Sequence, residues 1–200
     1  MIQVDPAGLM GVVLAGGEGR RMGGQDKGLL DWRGEPMVAR VLAALQPLVA
    51  EVMISANRSL AAYRAFASRV EPDLPGCRAQ GPLSGLLSAM TLARSLGYDA
   101  LLVCPCDTPA LTTDVLRRLL QAAGPFPERP TVTTVAGRLH PLHGVFPVSL
   151  MPVLAECLAR DERRVRVFLE AANVLTVDFS DQAEAFLNCN TEADLKGDGR

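Results

Sequence analysis

Residues 9–30 read LMGVVLAGGEGRRMGGQDKGLL. The opening stretch, 9–15, is an unbroken apolar run, short enough to be a strand covered on both faces, and such strands belong to largely parallel sheets. The character then changes at once: Gly16, Gly17, Gly19, Gly23 and Gly24 are interleaved with Arg20, Arg21 and Lys27. Glycine tolerates positive φ and lets backbone N–H groups approach an anion closely, and the three cations add charge. A phosphate cradle at the carboxyl end of a buried strand is one reading, and a surface loop with solvated charges is the other. Two familiar phosphate loops do not fit. G-x-x-x-x-G-K-[ST] fails because Lys27 follows Asp26 and precedes Gly28. G-x-G-x-x-G started at Gly17 and Gly19 meets Met22 where its last glycine belongs.

Similar apolar runs recur at 52–55, 100–105, 131–135 and 174–179, each read as a strand buried on both faces. Helical spacing lies between them: Met37, Val41, Leu45 and Leu48; Leu83, Leu86, Leu87 and Met90; Val115, Leu116, Leu119 and Leu120. This alternation predicts an α/β three-layer sandwich, a mostly parallel central sheet with helices on both faces, joined by right-handed crossovers. Proline breaks the pattern in GPFPERP (124–130) and HPLHGVFPVSL (140–150), where antiparallel or edge structure is expected. No repeat or linker divides the chain, so a single domain over 1–200 is expected, with about five C-terminal residues as a tail. In open sheets of this kind ligands lie beyond the carboxyl ends of the strands.

With 200 residues the chain buries about 70% of the surface that it exposes when unfolded, so a substantial core is expected. Its 20 basic and 22 acidic residues leave a net charge of −2, which argues against nucleic acid as a partner. No apolar run reaches the ~18 residues of a membrane helix, and the N-terminus lacks a basic, then apolar, leader pattern. A cytoplasmic protein with no membrane association is expected. The five cysteines, 77, 104, 106, 157 and 189, form no C-x-x-C pair and are read as reduced, mostly buried thiols. His140 and His143 lack a third ligand nearby and are read as satisfied or exposed imidazoles, not a metal pair.

Asp107 stands directly after the apolar run, in VCPCDTP (103–109). Either it belongs to the site at the carboxyl edge of the sheet, or it caps a helix that starts near Thr112.

These residues carry a resemblance. LAGGEGRRMGGQDKGLL is similar to the signature loop of nucleotidyltransferases, L-A-[GA]-G-x-x-x-R-M-G-x-x-K, through Leu14, Ala15, Gly16, Gly17, Arg21, Met22, Gly23 and Lys27. CPCDTP, GPLSG (81–85), ERRV (162–165), VDFSD (177–181) and LNCNTEADL (187–195) follow in order, and together they resemble the bacterial molybdenum cofactor guanylyltransferases. The related cytidylyltransferases acting on the same pterin read L-A-A-G and G-D-Q-P at the loop and the aspartate, unlike this chain.

The resemblance implies transfer of GMP from GTP to molybdopterin, already carrying molybdenum, with release of pyrophosphate and with Mg²⁺ as cofactor. It implies that Leu14, Ala15, Gly16 and Gly17 cradle the base and phosphates, that Lys27 and Arg21 meet the GTP phosphates, and that Ser55 and Asp73 touch the nucleotide. Asp107 is implied to hold Mg²⁺ and GTP, and with Lys27 and Arg21 makes up the catalytic set. Where the family often reads N-A-N, this chain has Ser55, Ala56 and Asn57, so an amide contact at Ser55 is shortened or lost. Arg164, Asn188 and Asn190, with Arg163 and Arg166, are the candidates for the pterin side. The bland alternatives are an amphipathic helix with solvated arginines in DERRVRVFLEAA (161–172) and a turn cap for the asparagines near a helix starting at Thr191. No general base is required, since a phosphate monoester is already anionic near neutral pH. The expected partners are GTP and molybdopterin, with molybdenum-insertion proteins and molybdoenzyme chaperones, in a monomer or weak oligomer. The competing functions are a cytidylyl- or uridylyltransferase acting on another phosphate and a non-catalytic nucleotide-binding regulator.

Overall fold

The computed structural model describes residues 8–16, 25–76, 81–125, 127–190 and 194. Gly17, Arg20, Arg21 and the rest of 17–24 lie outside the described residues, as do Cys77, Thr191 and the C-terminal tail.

The run at 9–15 folds as β1 (Leu9–Leu14), buried along its whole length. Gly11 sits in it for a steric reason: a Cβ there would lie 3.0 Å from Val49 Cγ2 and 3.2 Å from Val52 Cγ2. After the glycine loop comes a tight hairpin, β2 (Asp31–Trp32) and β3 (Glu35–Pro36), whose turn residues Arg33 and Gly34 both take positive φ, 55° and 89°. That is the twist which two-residue hairpins need. The chain continues through α1 (Met37–Leu45), β4 (Glu51–Ser55), the single turn α2 (Leu60–Tyr63) and β5 (Arg69–Glu71) to α3 (Pro82–Leu96). Pro82 opens α3, where its missing N–H costs nothing, and Gly97 at φ 83° closes it. Then come β6 (Ala100–Pro105), α4 (Thr113–Ala123), β7 (Thr131–Val135), β8 (Arg138–Pro147), α5 (Met151–Ala159), α6 (Val165–Ala171) and β9 (Leu175–Asp178).

Among the described residues the main sheet has seven strands in the order β5-β4-β1-β6-β8-β7-β9. All pairs are parallel except those of β8, which runs antiparallel to both β6 and β7. The proline-broken segment therefore supplies the expected antiparallel strand, but inside the sheet and not at its edge. It can stand there because Val132 pairs with Gly144 while Thr133 pairs with His140, so residues 141–143 bulge out of register. Pro141, with no N–H to donate, falls in this bulge. Gly144 is needed beside it, since a Cβ would lie 2.8 Å from both Thr131 O and Val132 Cγ1. β9, expected to be buried on both faces, is the edge strand, and Thr176 and Asp178 are exposed.

Alternate residues of each strand divide between two cores, as the period of two dictates. Leu9 and Val13 of β1 and Leu102 and Cys104 of β6 pack with Val41, Leu45, Leu116 and Leu119 of α1 and α4. Met10, Val12, Leu101 and Val103 pack on the other face with Leu86, Met90, Leu154 and Phe168 of α3, α5 and α6. Burying each of these larger side chains contributes about 1.5–3 kcal/mol, which makes the sheet a rigid platform for its rim. Among the described residues no helix is long and apolar enough to cross a membrane.

Register fixes what stands on that rim. Leu14 pairs with both Ser55 and Pro105, and Ser55 pairs with Glu71. The row continues past the strands: Ala15 N donates to Ser55 O at 2.8 Å, Ala56 N to Glu71 O at 3.0 Å and Cys106 N to Leu14 O at 3.0 Å. Segments far apart in sequence thus leave the sheet side by side at its carboxyl edge.

Candidate active site

One end of the rim forms a polar corner under the start of the glycine loop. Ser55 and Asp73 are buried there, at 2% and 5% exposure, while Gly16 is exposed. Asn57 holds Asp73 twice: its Nδ2 donates to Asp73 Oδ2 at 2.9 Å, and its Oδ1 accepts from Asp73 N at 2.9 Å. Gly85 on α3 closes the corner from below. A Cβ there would lie 2.8 Å from Ser55 Oγ, 3.3 Å from Leu14 Cδ2 and 3.5 Å from Asp73 Oδ1. The structure therefore brings Leu14, Ala15, Gly16, Ser55 and Asp73 together. It adds Asn57, whose signal was the third letter of the Ser55-Ala56-Asn57 triplet, where the sequence reading weighed only the first.

The second cluster gathers around Lys27. Its Nζ lies 3.0 Å from Asp107 Oδ2, both side chains being about one-fifth exposed at 21% and 19%, and it also donates to Asn190 Oδ1. Asn190 comes from a segment 163 residues away. That segment is pinned to the turn after β6 by Cys189 N donating to Asp107 O at 2.9 Å, and from beneath by Trp32 and Met37, which bury the Cys189 thiol. Asp107 does not cap α4: Thr112 does, its hydroxyl accepting from Val115 N at 3.4 Å.

The Asp107 turn is gripped on both sides. Thr108 is fully buried and lies 2.9 Å from Nε2 of His143, which the β8 bulge swings inward. Burial first, and His140 second, lower the His143 pKa to about 3, so the ring is neutral. On the other side Cys106 packs against Gly28, and burial ahead of the Asp107 and Asp26 carboxylates pushes its thiol up to about 12. Cys104, Cys106 and Cys189 are buried free thiols, while Cys157 is only half-buried.

The arginines at the start of α6 behave differently. Arg164 gives Nε and Nη2 to Glu162 at 2.8 and 2.5 Å, Arg163 pairs with Asp161, and Arg166 pairs with Glu170. The guanidinium of Arg164 draws the Glu162 carboxyl down to about 2. The hydrogen bonds of Arg164 thus go to Glu162 and not to the Lys27 cluster, and Asn188 is exposed beside the pinned Cys189.

The arrangement offers a polar corner with a buried carboxylate and a lysine balanced by an aspartate, carried by strand ends along the same edge. That combination suits a nucleotide whose base and phosphates are held by different strands. Among the described residues no three His, Cys, Asp or Glu are grouped to enclose a metal. A lone carboxylate beside phosphate oxygens is nevertheless an ordinary donor set for a small hard cation.

Residues 11–176 match the family described as MobA-like NTP transferase domain. The Molybdenum cofactor guanylyltransferase of Cereibacter sphaeroides is 42% identical over 188 residues, 94% of this chain and 93% of that protein. Its namesake in Pasteurella multocida is 39% identical over 186 residues, 92% and 96% of the two chains. Among solved structures, Molybdopterin-guanine dinucleotide biosynthesis protein A from Archaeoglobus fulgidus aligns with a TM-score of 0.74 at 22% identity, over 94% of this chain and 95% of that one. The 2-C-methyl-D-erythritol 4-phosphate cytidylyltransferase from Thermus thermophilus aligns at 0.65 and 18% identity, over 92% and 94%. At such identities the structural likenesses speak for the fold.

Proposed function

The chain belongs to the MobA-like NTP transferase family, and from that membership we propose that it transfers GMP from GTP to molybdopterin, forming the guanine dinucleotide cofactor. The observation that carries the reading is the Lys27–Asp107–Asn190 cluster at the carboxyl edge, where three distant segments meet. A phosphate oxygen of the pterin forms a bond to the α-phosphorus of GTP as the bridging bond to the β-phosphate breaks, and pyrophosphate leaves with the electron pair. The attacking oxygen is already anionic, so the protein's part is alignment and charge neutralisation.

Lys27 and Arg21 neutralise GTP phosphates, with Leu14, Ala15, Gly16 and Gly17 as the cradle. Ser55 and Asp73 contact the nucleotide. The Asp73 carboxylate suits guanine in particular, because the base presents two adjacent donors, N1–H and the amino group, where cytosine presents an acceptor beside its amino group. Asp107, one-fifth exposed and balanced by Lys27, fits as the protein ligand of Mg²⁺, which when bound supplies further neutralisation of the phosphates. Asn188, Asn190 and Arg164 serve the pterin side. The Arg164–Glu162 link is an exposed pair of small net worth, readily exchanged for a substrate phosphate. The reaction belongs in the cytoplasm, between molybdenum-insertion proteins and the chaperones of molybdoenzymes, with the enzyme a monomer or weak oligomer.

The test is pyrophosphate release with each of the four nucleotides and Mg²⁺, with and without molybdopterin. Release with GTP that depends on the pterin is expected. Faster release with CTP, or release indifferent to the pterin, overturns the assignment.

A further inference from the structure

The residue just before Lys27 is an aspartate that sits where solvated aspartates do not. Asp26 is only 9% exposed, and its Oδ1 accepts a hydrogen bond from the hydroxyl of Tyr63, itself fully buried at the end of α2. Its Oδ2 lies 3.4 Å from Nε of Arg58, and Nη2 of Arg58 donates to Gln25 O at 2.8 Å. Burying a carboxylate is costly unless it is paired and hydrogen-bonded, and here one short stretch, 58–63, supplies the hydrogen bond to Oδ1 and the opposite charge beside Oδ2.

The residue just after Lys27 is held by the same tyrosine. A Cβ on Gly28 would lie 2.5 Å from the Tyr63 hydroxyl and 3.3 Å from Cβ and Sγ of Cys106, so only glycine fits between them. Cys106 is the neighbour of Asp107. The one-turn segment that presents Lys27, Lys27–Leu29, is therefore clamped between Tyr63 and the very turn that presents Asp107. Lys27 and Asp107 are each one residue away from a contact that fixes their relative position.

We propose that Tyr63 is a positioning residue for the transfer reaction: by anchoring Asp26 and backing Gly28, its hydroxyl holds Lys27 in line with Asp107 and the reacting phosphates. This inference rests on the reading of Lys27 as a phosphate-binding residue. A flexible lysine with only its far end bonded samples many rotamers, whereas one whose backbone is locked on both sides delivers its ammonium to a single place. Small misplacements of a charge at a reacting phosphate are expensive in rate.

Tyr63→Phe removes only the hydroxyl and keeps the buried ring. Its kcat for guanylyl transfer, measured alone and in a Lys27→Gln background at saturating GTP, forms a double-mutant cycle that separates positioning from general weakening. Expected is a loss of about tenfold in kcat for Tyr63→Phe alone and less than about twofold when Lys27 is already gone. Asp26→Asn, which keeps the shape and an acceptor for Tyr63, should retain most of the rate, and Asp26→Ala, which removes the anchor, should repeat the loss. That pair provides a second arm where Tyr63→Phe folds poorly. The same fold loss in both backgrounds, or a lower melting temperature with parental kcat, overturns the Tyr63 inference alone. Unchanged kcat in Lys27→Gln by itself overturns the phosphate role of Lys27, and this inference with it.

Discussion

Two charged regions stand near the same edge of the sheet and are built in opposite ways. Lys27 finds Asp107 80 residues away and Asn190 163 residues away, and both ends of its ion pair are about four-fifths covered. Arg163 and Arg164 find carboxylates two residues away, and Arg164 is 76% exposed. A pair made by local turn geometry in water is worth little and forms wherever the chain turns. A pair assembled from distant strands and partly shielded from solvent exists only because the fold pays its ordering cost. The first kind leaves a side chain ready to exchange partners, and the second fixes a charge in space. Fixed charge is what a transferring phosphate requires.

The largest expected effect is at Asp107. If Asp107 holds Mg²⁺ as proposed, Asp107→Ala should lower kcat by about a hundredfold or more. It should change the melting temperature little, since Thr112 caps α4. A variant that melts several degrees lower yet keeps its rate would make Asp107 structural and erase the contrast between the regions. Lys27→Gln comes next, with kcat down by about tenfold or more and Asp107 left without its cation; product formation at saturating GTP measures it.

A smaller effect sharpens the account of how the Asp107 turn is held. The folded protein keeps His143 neutral, at a pKa of about 3, against an unfolded value near 6.5. Below pH 6.5 the unfolded chain takes a proton that the folded one refuses. The full stability is therefore present above pH 6.5 and is lost as the pH falls toward 3, by up to about 1.4 kcal/mol per pH unit. His140, whose pKa is also lowered by burial and then by Arg138, acts in the same direction. Urea unfolding at pH 7 and pH 5 should show the loss, and His143→Asn should flatten it. Equal slopes in parent and variant would mean that the imidazole is not gripped as Thr108 suggests.

The smallest effect belongs to the local pairs. Arg164→Ala should leave kcat and the melting temperature unchanged and raise the KM for the pterin by about twofold to fivefold, as loss of one exposed phosphate contact would. A fall in kcat as large as that of Lys27→Gln would place Arg164 among the fixed charges and break the comparison.

The strands β1, β4, β6, β7 and β9 and the helices α1, α3 and α4 were legible in the sequence, because buried elements carry their own periodicity within a few residues. So was the meeting of the start of the glycine-rich segment with the Asp107 turn, since each follows a buried strand and parallel strand ends share one edge. Three-residue β5 was too short to show a period. In β8 the prolines spoke against a central strand, and only the partner strand's register reveals the bulge that accommodates Pro141.

The sequence by itself thus determined most of the buried strands and helices, and it singled out Lys27 and Asp107, which the fold brings to within 3.0 Å of each other. The tertiary structure alone decided that Asn190 reaches Lys27, that Asn57 holds Asp73, that His143 turns inward to Thr108, and that Tyr63 anchors Asp26. The physical reason is that periodicity is a property of neighbours in the chain. A polar side chain in a turn looks the same in sequence whether it faces water or a partner, and only strand order and register determine which.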